Sequence, residues 1–144
     1  MSKVLITVTG LATTPAGTDP NEIKVTTTGE LTPIEGGWRL DYDEIQPDGK
    51  SKEDIRVEMT QEQVTMNRSG AFGTTMVFIK DKLFQSHYKT PYGPIGLNIF
   101  TTRMSVDCGP ESGRMFLKYE MELQQIVQSC NELTLEYRAC GRKN

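Results

Sequence analysis

Residues 115–123 read MFLKYEMEL, and residues 131–139 read NELTLEYRA. In both stretches apolar or aromatic residues alternate with polar or charged residues over most of the length. Successive side chains of a β-strand point to opposite faces, so each stretch predicts a strand with one buried face and one solvated face. Antiparallel sheets show this alternation, whereas parallel sheets covered on both sides show continuous apolar runs. The two stretches therefore predict an antiparallel sheet.

Similar segments recur along the whole chain and are rich in the β-branched and aromatic residues that strands favour. Most are separated by short turn sequences, such as Glu35-Gly36-Gly37 and Pro47-Asp48-Gly49. The one long connection that the sequence predicts is the polar stretch Ala12–Asn21. Ten strands are predicted, over residues 3–10, 22–34, 37–46, 51–60, 63–70, 73–80, 82–90, 94–107, 113–127 and 131–139.

Short connections between consecutive strands predict an up-and-down meander, in which each strand lies beside the next. An open meander of about 8–10 strands has two exposed edges, and closure into a barrel removes them. The chain has 144 residues, the size of one domain. The prediction is therefore an all-β, antiparallel β-barrel formed by residues 1–144 as a single domain. A β-sandwich remains the alternative, because short hairpins also occur there.

The charge and the apolar runs of the chain exclude some classes of partner. The net charge is −3 and the pI is about 5.2, whereas nucleic-acid-binding domains are normally basic. No apolar run approaches the roughly 18 residues of a membrane span, and the first residues do not form a signal peptide. The three cysteines are odd in number and lack C-x-x-C spacing, which is typical of reduced thiols. We therefore expect a cytoplasmic protein with neither nucleic acid nor membrane as its partner.

Patterns that would indicate catalysis or a metal site are weak. His87 is the only histidine, and with three scattered cysteines it cannot supply the three or four close ligands of a zinc site. The carboxylate pairs Asp41/Asp43 and Glu120/Glu122 lie on the polar face of their strands, where no dry surrounding raises a pKa. No Gly-x-Ser-x-Gly elbow or glycine-rich phosphate loop is present. The sequence therefore predicts no catalytic residue, no metal and no cofactor.

Several short motifs, in a fixed order, are similar to those of a known family. They are Val4–Gly10, Arg68-Ser69-Gly70, Met76-Val77-Phe78, Tyr88-Lys89-Thr90-Pro91-Tyr92-Gly93, Thr101, Lys118-Tyr119-Glu120 and Asn131-Glu132-Leu133. With these motifs the chain resembles, over residues 3–139, the YwiB-like family of small bacterial proteins. That resemblance implies a calycin-type, lipocalin-like barrel and implies no established activity.

Arg68 is the most informative single residue. It continues the row of Val64 and Met66, so its side chain should face the interior. A buried guanidinium is costly unless it is paired with a carboxylate or an anion. One interpretation is that Arg68 holds the carboxylate or phosphate of a ligand through two parallel hydrogen bonds. The other is an internal partner such as Glu44, or a position at the barrel rim.

The ligand-binding hypothesis adds three hydroxyl-bearing residues to Arg68. Tyr88, Thr101 and Tyr119 would surround the acidic group of a small amphipathic or anionic ligand. The protein would then be a non-enzymatic binding protein. The alternative is a protein-interaction or structural module with a filled barrel core and no ligand. The sequence leaves open whether the protein is a monomer or a homodimer.

Overall fold

The computed structural model describes residues 2–13, 21–45, 52–69, 73–90, 93–123 and 127–140. These ranges contain ten strands: β1 (Ser2–Thr13), β2 (Asn21–Ile34), β3 (Gly37–Ile45), β4 (Lys52–Thr60), β5 (Val64–Arg68), β6 (Thr74–Phe78), β7 (Leu83–Thr90), β8 (Gly93–Cys108), β9 (Ser112–Leu123) and β10 (Val127–Ala139). No helix occurs in them. The ten strands predicted from the sequence are confirmed, with ends that differ by a few residues.

The strands form one antiparallel sheet in the order β6-β5-β4-β3-β2-β1-β10-β9-β8-β7. Each strand pairs with a neighbour in sequence, and β1 also pairs with β10, so that Val4 lies opposite Ala139. The sheet curls until β6 approaches β7, which gives a nearly closed up-and-down barrel. The predicted meander barrel is confirmed, and the sandwich alternative was wrong.

The barrel has one seam, between β6 and β7. No strand ladder joins these two strands within the described ranges. Instead, the Thr74 hydroxyl donates a hydrogen bond of 3.0 Å to the His87 carbonyl oxygen. Farther along, Lys80 forms an isolated bridge with Thr101, and the Asp81 N–H donates to the Thr101 carbonyl at 2.7 Å. Among the described residues, one hydrogen bond therefore joins β6 to β7, and two contacts join the following turn to β8.

Inward-facing side chains fill the described interior of the barrel. The buried apolar residues are Val4, Ile6, Leu31, Leu40, Tyr42, Ile55, Val57, Met59, Val64, Met66, Phe78, Leu97, Ile99, Met115, Leu117, Leu135 and Tyr137. Met59, Met66 and Met115 are buried, and Met76, Met104 and Met121 pack against this core. Methionine adapts to irregular gaps, which suits it to the inside of a curved sheet.

A β-bulge in β8 changes which residues face the interior. The pairing of β8 with β9 is regular up to Thr101, which lies opposite Tyr119, and resumes at Arg103. Without the bulge, the alternation that buries Ile99 and Thr101 would also turn Arg103 inward. The extra residue, Thr102, shifts the alternation, so Arg103 is exposed and Met104 packs on the core.

The two ends of the barrel differ in their connections. At the end that we call the turn end, short described turns at residues 35–36, 61–63, 79–82 and 109–111 join the strands. At the opposite end, which we call the polar end, the connections are residues 14–20, 46–51, 70–72, 91–92 and 124–126, which lie outside the described ranges. The predicted long connection falls among them.

Two tyrosines lie directly opposite glycines of the neighbouring strand. Tyr42 pairs with Gly29, and Tyr137 pairs with Gly113. A Cβ on Gly29 would lie 2.5 Å from the Asp41 carbonyl oxygen, and a Cβ on Gly113 would lie 2.6 Å from ring atoms of Tyr137. Glycine is therefore needed at both positions, because any other side chain would collide with its neighbour.

In the ranges that the structure covers, we find no helix that is long and apolar enough to cross a membrane.

Candidate functional site

Three charged side chains meet inside the barrel toward its polar end. The Arg68 Nη1 donates a hydrogen bond of 2.5 Å to the Glu44 Oε1 and a second of 3.0 Å to the Glu53 Oε1. We call Glu44, Glu53 and Arg68, together with Tyr42, the inner polar cluster. Charge-assisted hydrogen bonds of this length are about twice as strong as neutral ones. They hold the guanidinium in one position against the barrel wall.

The register of three neighbouring strands produces this cluster. Glu44 in β3 lies directly opposite Glu53 in β4, and Arg68 in β5 lies opposite Ile55, two residues along β4 from Glu53. Directly opposite residues of an antiparallel pair share a face. Of the two interpretations of Arg68, the structure shows the one with an internal partner, because Arg68 pairs with Glu44 and also with Glu53.

Sequence reasoning missed Glu53, although a signal was present. Glu53 shares its alternation with Ile55, Val57 and Met59, all of which are buried. Only 4% of Glu53 is exposed, which makes it the most buried carboxylate among the described residues. A carboxylate at the start of an apolar row is therefore the pattern that could have found it.

Burial and ion pairing act in opposite directions on the pKa of Arg68. About a quarter of its side chain, 24%, is exposed. Desolvation lowers the pKa of Arg68, but the hydrogen bonds and charges of Glu44 and Glu53 outweigh it, so the pKa is raised above its usual value. Arg68 is therefore always charged. The three side chains carry two formal negative charges and one positive charge.

Tyr42 lies beside the charged side chains of the cluster. Only 8% of Tyr42 is exposed. Burial and, to a smaller extent, the charge of Glu44 raise its pKa to about 12, against the opposing charge of Arg68. No hydrogen bond joins its hydroxyl to a described residue, and Tyr42 lines the groove described below. Tyr42 therefore has a donor that no described residue uses.

Tyr119 lies on the opposite wall, within reach of the same charge. Burial raises its pKa to about 12, and the positive charge of Arg68 opposes that rise. Its ring packs edge-on against Phe78, with 4.8 Å between the ring centroids. The structure thus brings together two of the four predicted site residues, Arg68 and Tyr119.

The other two predicted site residues are not joined to this cluster. Thr101 is buried and lies beside Tyr119 in the next strand, and its backbone bridges to Lys80 at the seam. Its hydroxyl has no hydrogen-bond partner among the described residues, and no contact with Arg68 is observed there. The backbone of Tyr88 lies in β7 opposite Ile95, but its side chain lies outside the described part.

One edge of the Arg68 guanidinium remains for a further partner. Both ion pairs use the same nitrogen, Nη1. In the portion of the chain that the structure covers, Nε and Nη2 have no hydrogen-bond partner. These two N–H groups point in parallel and are suited to binding carboxylate or phosphate through two hydrogen bonds. The ion pairs therefore fix Arg68 while leaving that edge for an anionic group.

An open groove of about 1190 Å³ lies beside the cluster, along the outer face of the sheet. Arg68 and Tyr42 contribute to its lining, next to outer-face residues of β2–β6 and to His87 of β7. On the outer face, Asp41 accepts hydrogen bonds from Arg39 at 3.2 Å and from Arg56 at 2.7 Å. Asp41 and His87 thus lie on the outer face, as the alternation predicts. Among the described residues, no three potential ligands are grouped closely enough to hold a metal ion.

A second carboxylate pair lies on the outer face, directly behind Glu44 and Glu53. Asp43 and Asp54 are cross-strand neighbours of β3 and β4. The Asp43 carboxylate accepts a hydrogen bond from protonated Asp54, and this bond, together with the charge of Asp43, raises the pKa of Asp54. The end of this hairpin thus has carboxylate pairs on both of its faces, and only the inner pair is bridged by Arg68.

The sequence matches, over residues 6–135, the family described as "Domain of unknown function (DUF1934)". The chain belongs to this family. A solved structure, the crystal structure of ywiB protein from Bacillus subtilis, matches with a TM-score of 0.86 and 21% sequence identity. The match covers 97% of this chain and 93% of that chain.

The resemblance to the YwiB-like family, predicted from the short motifs, is confirmed by these two matches. At 21% identity the likeness between the two structures concerns the fold. The comparison with curated proteins gave no match. The function of this DUF1934 barrel is therefore inferred from its own side chains.

Proposed function

We propose that this DUF1934 barrel is a non-enzymatic, cytoplasmic binding protein for a small molecule with an acidic group. The ligand enters the groove that reaches Arg68, and its carboxylate or phosphate binds the Nε–H and Nη2–H of the guanidinium. The single observation that carries the proposal is the fixed arginine with an edge that no described residue uses. Such an edge is pre-organised, so binding loses little side-chain entropy.

The surroundings of Arg68 support this role. Tyr42 offers a hydroxyl with no partner in the described ranges, and Tyr119 faces the same charge from the opposite wall. A few polar groups beside an apolar wall are typical of small-ligand sites. The described interior beyond them is filled by apolar side chains. The ligand is therefore bound at the polar end of the barrel and not deep in its interior.

Native mass spectrometry of freshly purified protein and ¹H–¹⁵N NMR titrations test this proposal. The probes are butyrate and methyl phosphate, which present the acidic group alone. We expect saturable shifts of amides in β3, β4 and β5. Arg68→Lys keeps the charge and loses the parallel N–H pair, which weakens binding about tenfold. Arg114→Lys is the matched control, because Arg114 pairs with Glu136 and does not line this groove; it leaves affinity unchanged.

The proposal fails if no ligand mass remains on the protein and neither probe gives saturable shifts. It also fails if Arg68→Lys and Arg114→Lys weaken binding equally, because the acidic group would then bind elsewhere on the barrel.

A second candidate function is an interaction module with a filled core. The observation in its favour is an apolar pair on the outer face, Leu83 and Phe100, which lie opposite each other in β7 and β8 and are both exposed. They flank the seam, where β7 has no ladder partner on its other side among the described residues. Size-exclusion chromatography with light scattering tests this function. A stable dimer that Leu83→Ser and Phe100→Ser dissociate would favour it over ligand binding.

A further inference from the structure

The seam between β6 and β7 is held unevenly along its length. Along the two strands themselves, one hydrogen bond crosses it among the described residues, from the Thr74 hydroxyl to the His87 carbonyl oxygen at 3.0 Å. By contrast, β6 pairs with β5, and β7 pairs with β8, over the whole length of β6 and of β7. Within the described part of the chain, the sheet therefore separates along this seam with the fewest hydrogen bonds broken.

At the turn end, the barrel is closed by β8 and not by β7. Beyond Phe100, β8 no longer pairs with β7. The next residue, Thr101, accepts a hydrogen bond of 2.7 Å from the Asp81 N–H and forms the isolated bridge with Lys80. The turn that follows β6 is thus fastened directly to β8.

Two further contacts fasten the turn end farther along β8. The Gln61 side-chain amide donates a hydrogen bond of 2.7 Å to the Val106 carbonyl oxygen. The Cys108 thiol lies 3.8 Å from the Met59 sulfur, which is fully buried. The end of β4 and the turn after it are therefore joined to the second half of β8, which keeps this end of the barrel closed.

The burial of β6 changes in the same direction. Phe78, at the turn end of β6, is fully buried, and its ring packs edge-on against Tyr119 of β9. At the polar end of β6, Thr74 is half-buried and Thr75 is exposed. The turn-end part of β6 is tied to the core, whereas its first two residues have little buried apolar surface to lose when they move.

We propose that the barrel opens along the seam from the polar end, with the closed turn end as its hinge. Opening breaks the hydrogen bond between Thr74 and His87 and separates the polar-end parts of β6 and β7. Small molecules thereby reach the inner side of β7, where Ser86 lies opposite the buried Leu97. Because Arg68 lies directly opposite Thr74, this gate is next to the inner polar cluster. The inference goes beyond the proposed function, since the opening needs no ligand.

Cysteine labelling of the full chain tests this inference. Ser86→Cys adds a thiol on the inner side of β7 with a small change in side-chain volume. Iodoacetamide is the probe, and peptide mass spectrometry assigns each alkylated cysteine. The half-buried Cys108 reports on the turn end, and the exposed Cys130 and Cys140 give the reference rate of an accessible thiol.

The decisive variant is Thr74→Val, which removes the hydrogen bond across the seam and keeps the shape of the side chain. In the Ser86→Cys protein it should speed alkylation at position 86 about fivefold, the effect of one lost hydrogen bond on the opening equilibrium. Alkylation of Cys108 should not change. Thr102→Val is the matched control, because the Thr102 hydroxyl donates to the Lys118 carbonyl oxygen at 3.1 Å between two strands that a ladder joins. It should change neither rate.

Amide hydrogen exchange gives the same comparison without an added thiol. In the protein with Thr74→Val alone, amides of β6 and β7 should exchange faster, and amides of β1 and β10 should not. Circular dichroism shows that each variant is folded.

Three results would overturn the inference. If Thr74→Val and Thr102→Val have equal effects at position 86 and on the amides of β6 and β7, the hydrogen bond at the seam does not hold the gate. If Thr74→Val speeds alkylation of Cys108 as much as alkylation at position 86, the turn end opens too and is no hinge. If the rate at position 86 rises with urea as steeply as the equilibrium constant for unfolding, labelling reports global unfolding and not a local opening.

Discussion

The two tyrosine–glycine pairs of this barrel are alike in register and differ in what surrounds the tyrosine hydroxyl. Tyr137 lies opposite Gly113 near the turn end, and Tyr42 lies opposite Gly29 nearer the polar end. The Tyr137 hydroxyl donates a hydrogen bond of 2.7 Å to the Gly109 carbonyl oxygen. The Tyr42 hydroxyl has no such partner within the described ranges and lies near the charges of Glu44 and Arg68. One hydroxyl is therefore tied to the backbone of a turn, and the other is not tied to any described residue.

The comparison shows that the same register can leave a tyrosine hydroxyl in two different surroundings. The ring of Tyr137 lies directly over Gly113, whereas the Tyr42 atom nearest to the Cβ position of Gly29 is its own Cβ, at 3.0 Å. At the turn end, the backbone of the short turn at 109–111 supplies the acceptor. At the polar end, the acceptors nearby are the carboxylates that Arg68 already holds. The role of each tyrosine is therefore decided by the hydrogen-bond partner of its hydroxyl and not by the position of its ring.

The largest effect is expected from Gly113→Ala. The new Cβ would lie 2.6 Å from three atoms of the Tyr137 side chain, and overpacking of this kind costs about 3 kcal/mol. Urea denaturation measures the loss of unfolding free energy. Gly10→Ala is the control, since a Cβ there meets nothing within 4 Å, and it should change stability by less than about 1 kcal/mol. Equal effects of the two variants would show that the ring can move away.

Arg68→Met tests the polar end in the same way. It leaves Glu44 opposite Glu53 with no cation between them, and removing one partner of a buried ion pair costs about 3–5 kcal/mol. Arg68 and Glu44 are partly exposed, so solvent reduces the expected loss to about 2 kcal/mol. Arg56→Met, on the outer face, should cost less than about 1 kcal/mol. Thermal and urea unfolding measure the free energy of unfolding of both variants. An Arg68→Met variant as stable as the wild-type protein would contradict a stabilising role for the cluster.

The removal of each tyrosine hydroxyl separates the two pairs directly. Tyr137→Phe leaves the Gly109 carbonyl without its donor and should lower the unfolding free energy by about 1–2 kcal/mol. Tyr42→Phe loses no hydrogen bond to a described residue, so we expect a change below about 0.5 kcal/mol in the ligand-free protein. If Tyr42→Phe is the more destabilising variant, Tyr42 has a structural partner and the contrast between the two ends is lost.

The smallest effect concerns alkaline pH. The pKa of Tyr42 is about 12 in the folded protein, compared with 10.0 for an ordinary tyrosine. A raised pKa means that the folded state holds the proton more tightly, so this contribution is fully present below pH 10 and is lost as the pH rises toward 12. Between pH 9 and pH 11, the wild-type protein should lose about 1 kcal/mol more than Tyr42→Phe. Parallel curves for the two proteins would contradict the raised pKa.

The alternation of residues predicted most of the fold, because in a strand it directly reports which face is buried. It assigned all ten strands, the inward position of Arg68 and its pairing with Glu44. It did not find the bulge at Thr102, because Arg103 and Met104 read as part of one regular strand. The local sequence alone does not show where a strand gains an extra residue.

The alternation of residues shows which face of a strand is buried, but it does not show how far along the barrel axis a residue lies. For this reason, Thr101 was grouped with Arg68, although its backbone bridges to Lys80 at the seam. The partnership of Tyr42 with Gly29 likewise depends on the register between β2 and β3. Registers result from the packing of the whole sheet, so no single segment encodes them.

The seam between β6 and β7 separates the order of the strands along the chain from their order in the sheet. The first and last strands of this chain, β1 and β10, are paired in the middle of the sheet, and the Cys140 N–H donates to the Lys3 carbonyl oxygen at 3.1 Å. A circular permutant that links the outer ends of β1 and β10 and opens the chain at Ile79–Lys82 would therefore begin at one sheet edge and finish at the other. Its ten strands would follow their spatial order without interruption, and the connection removed would span a gap that no ladder closes among the described residues.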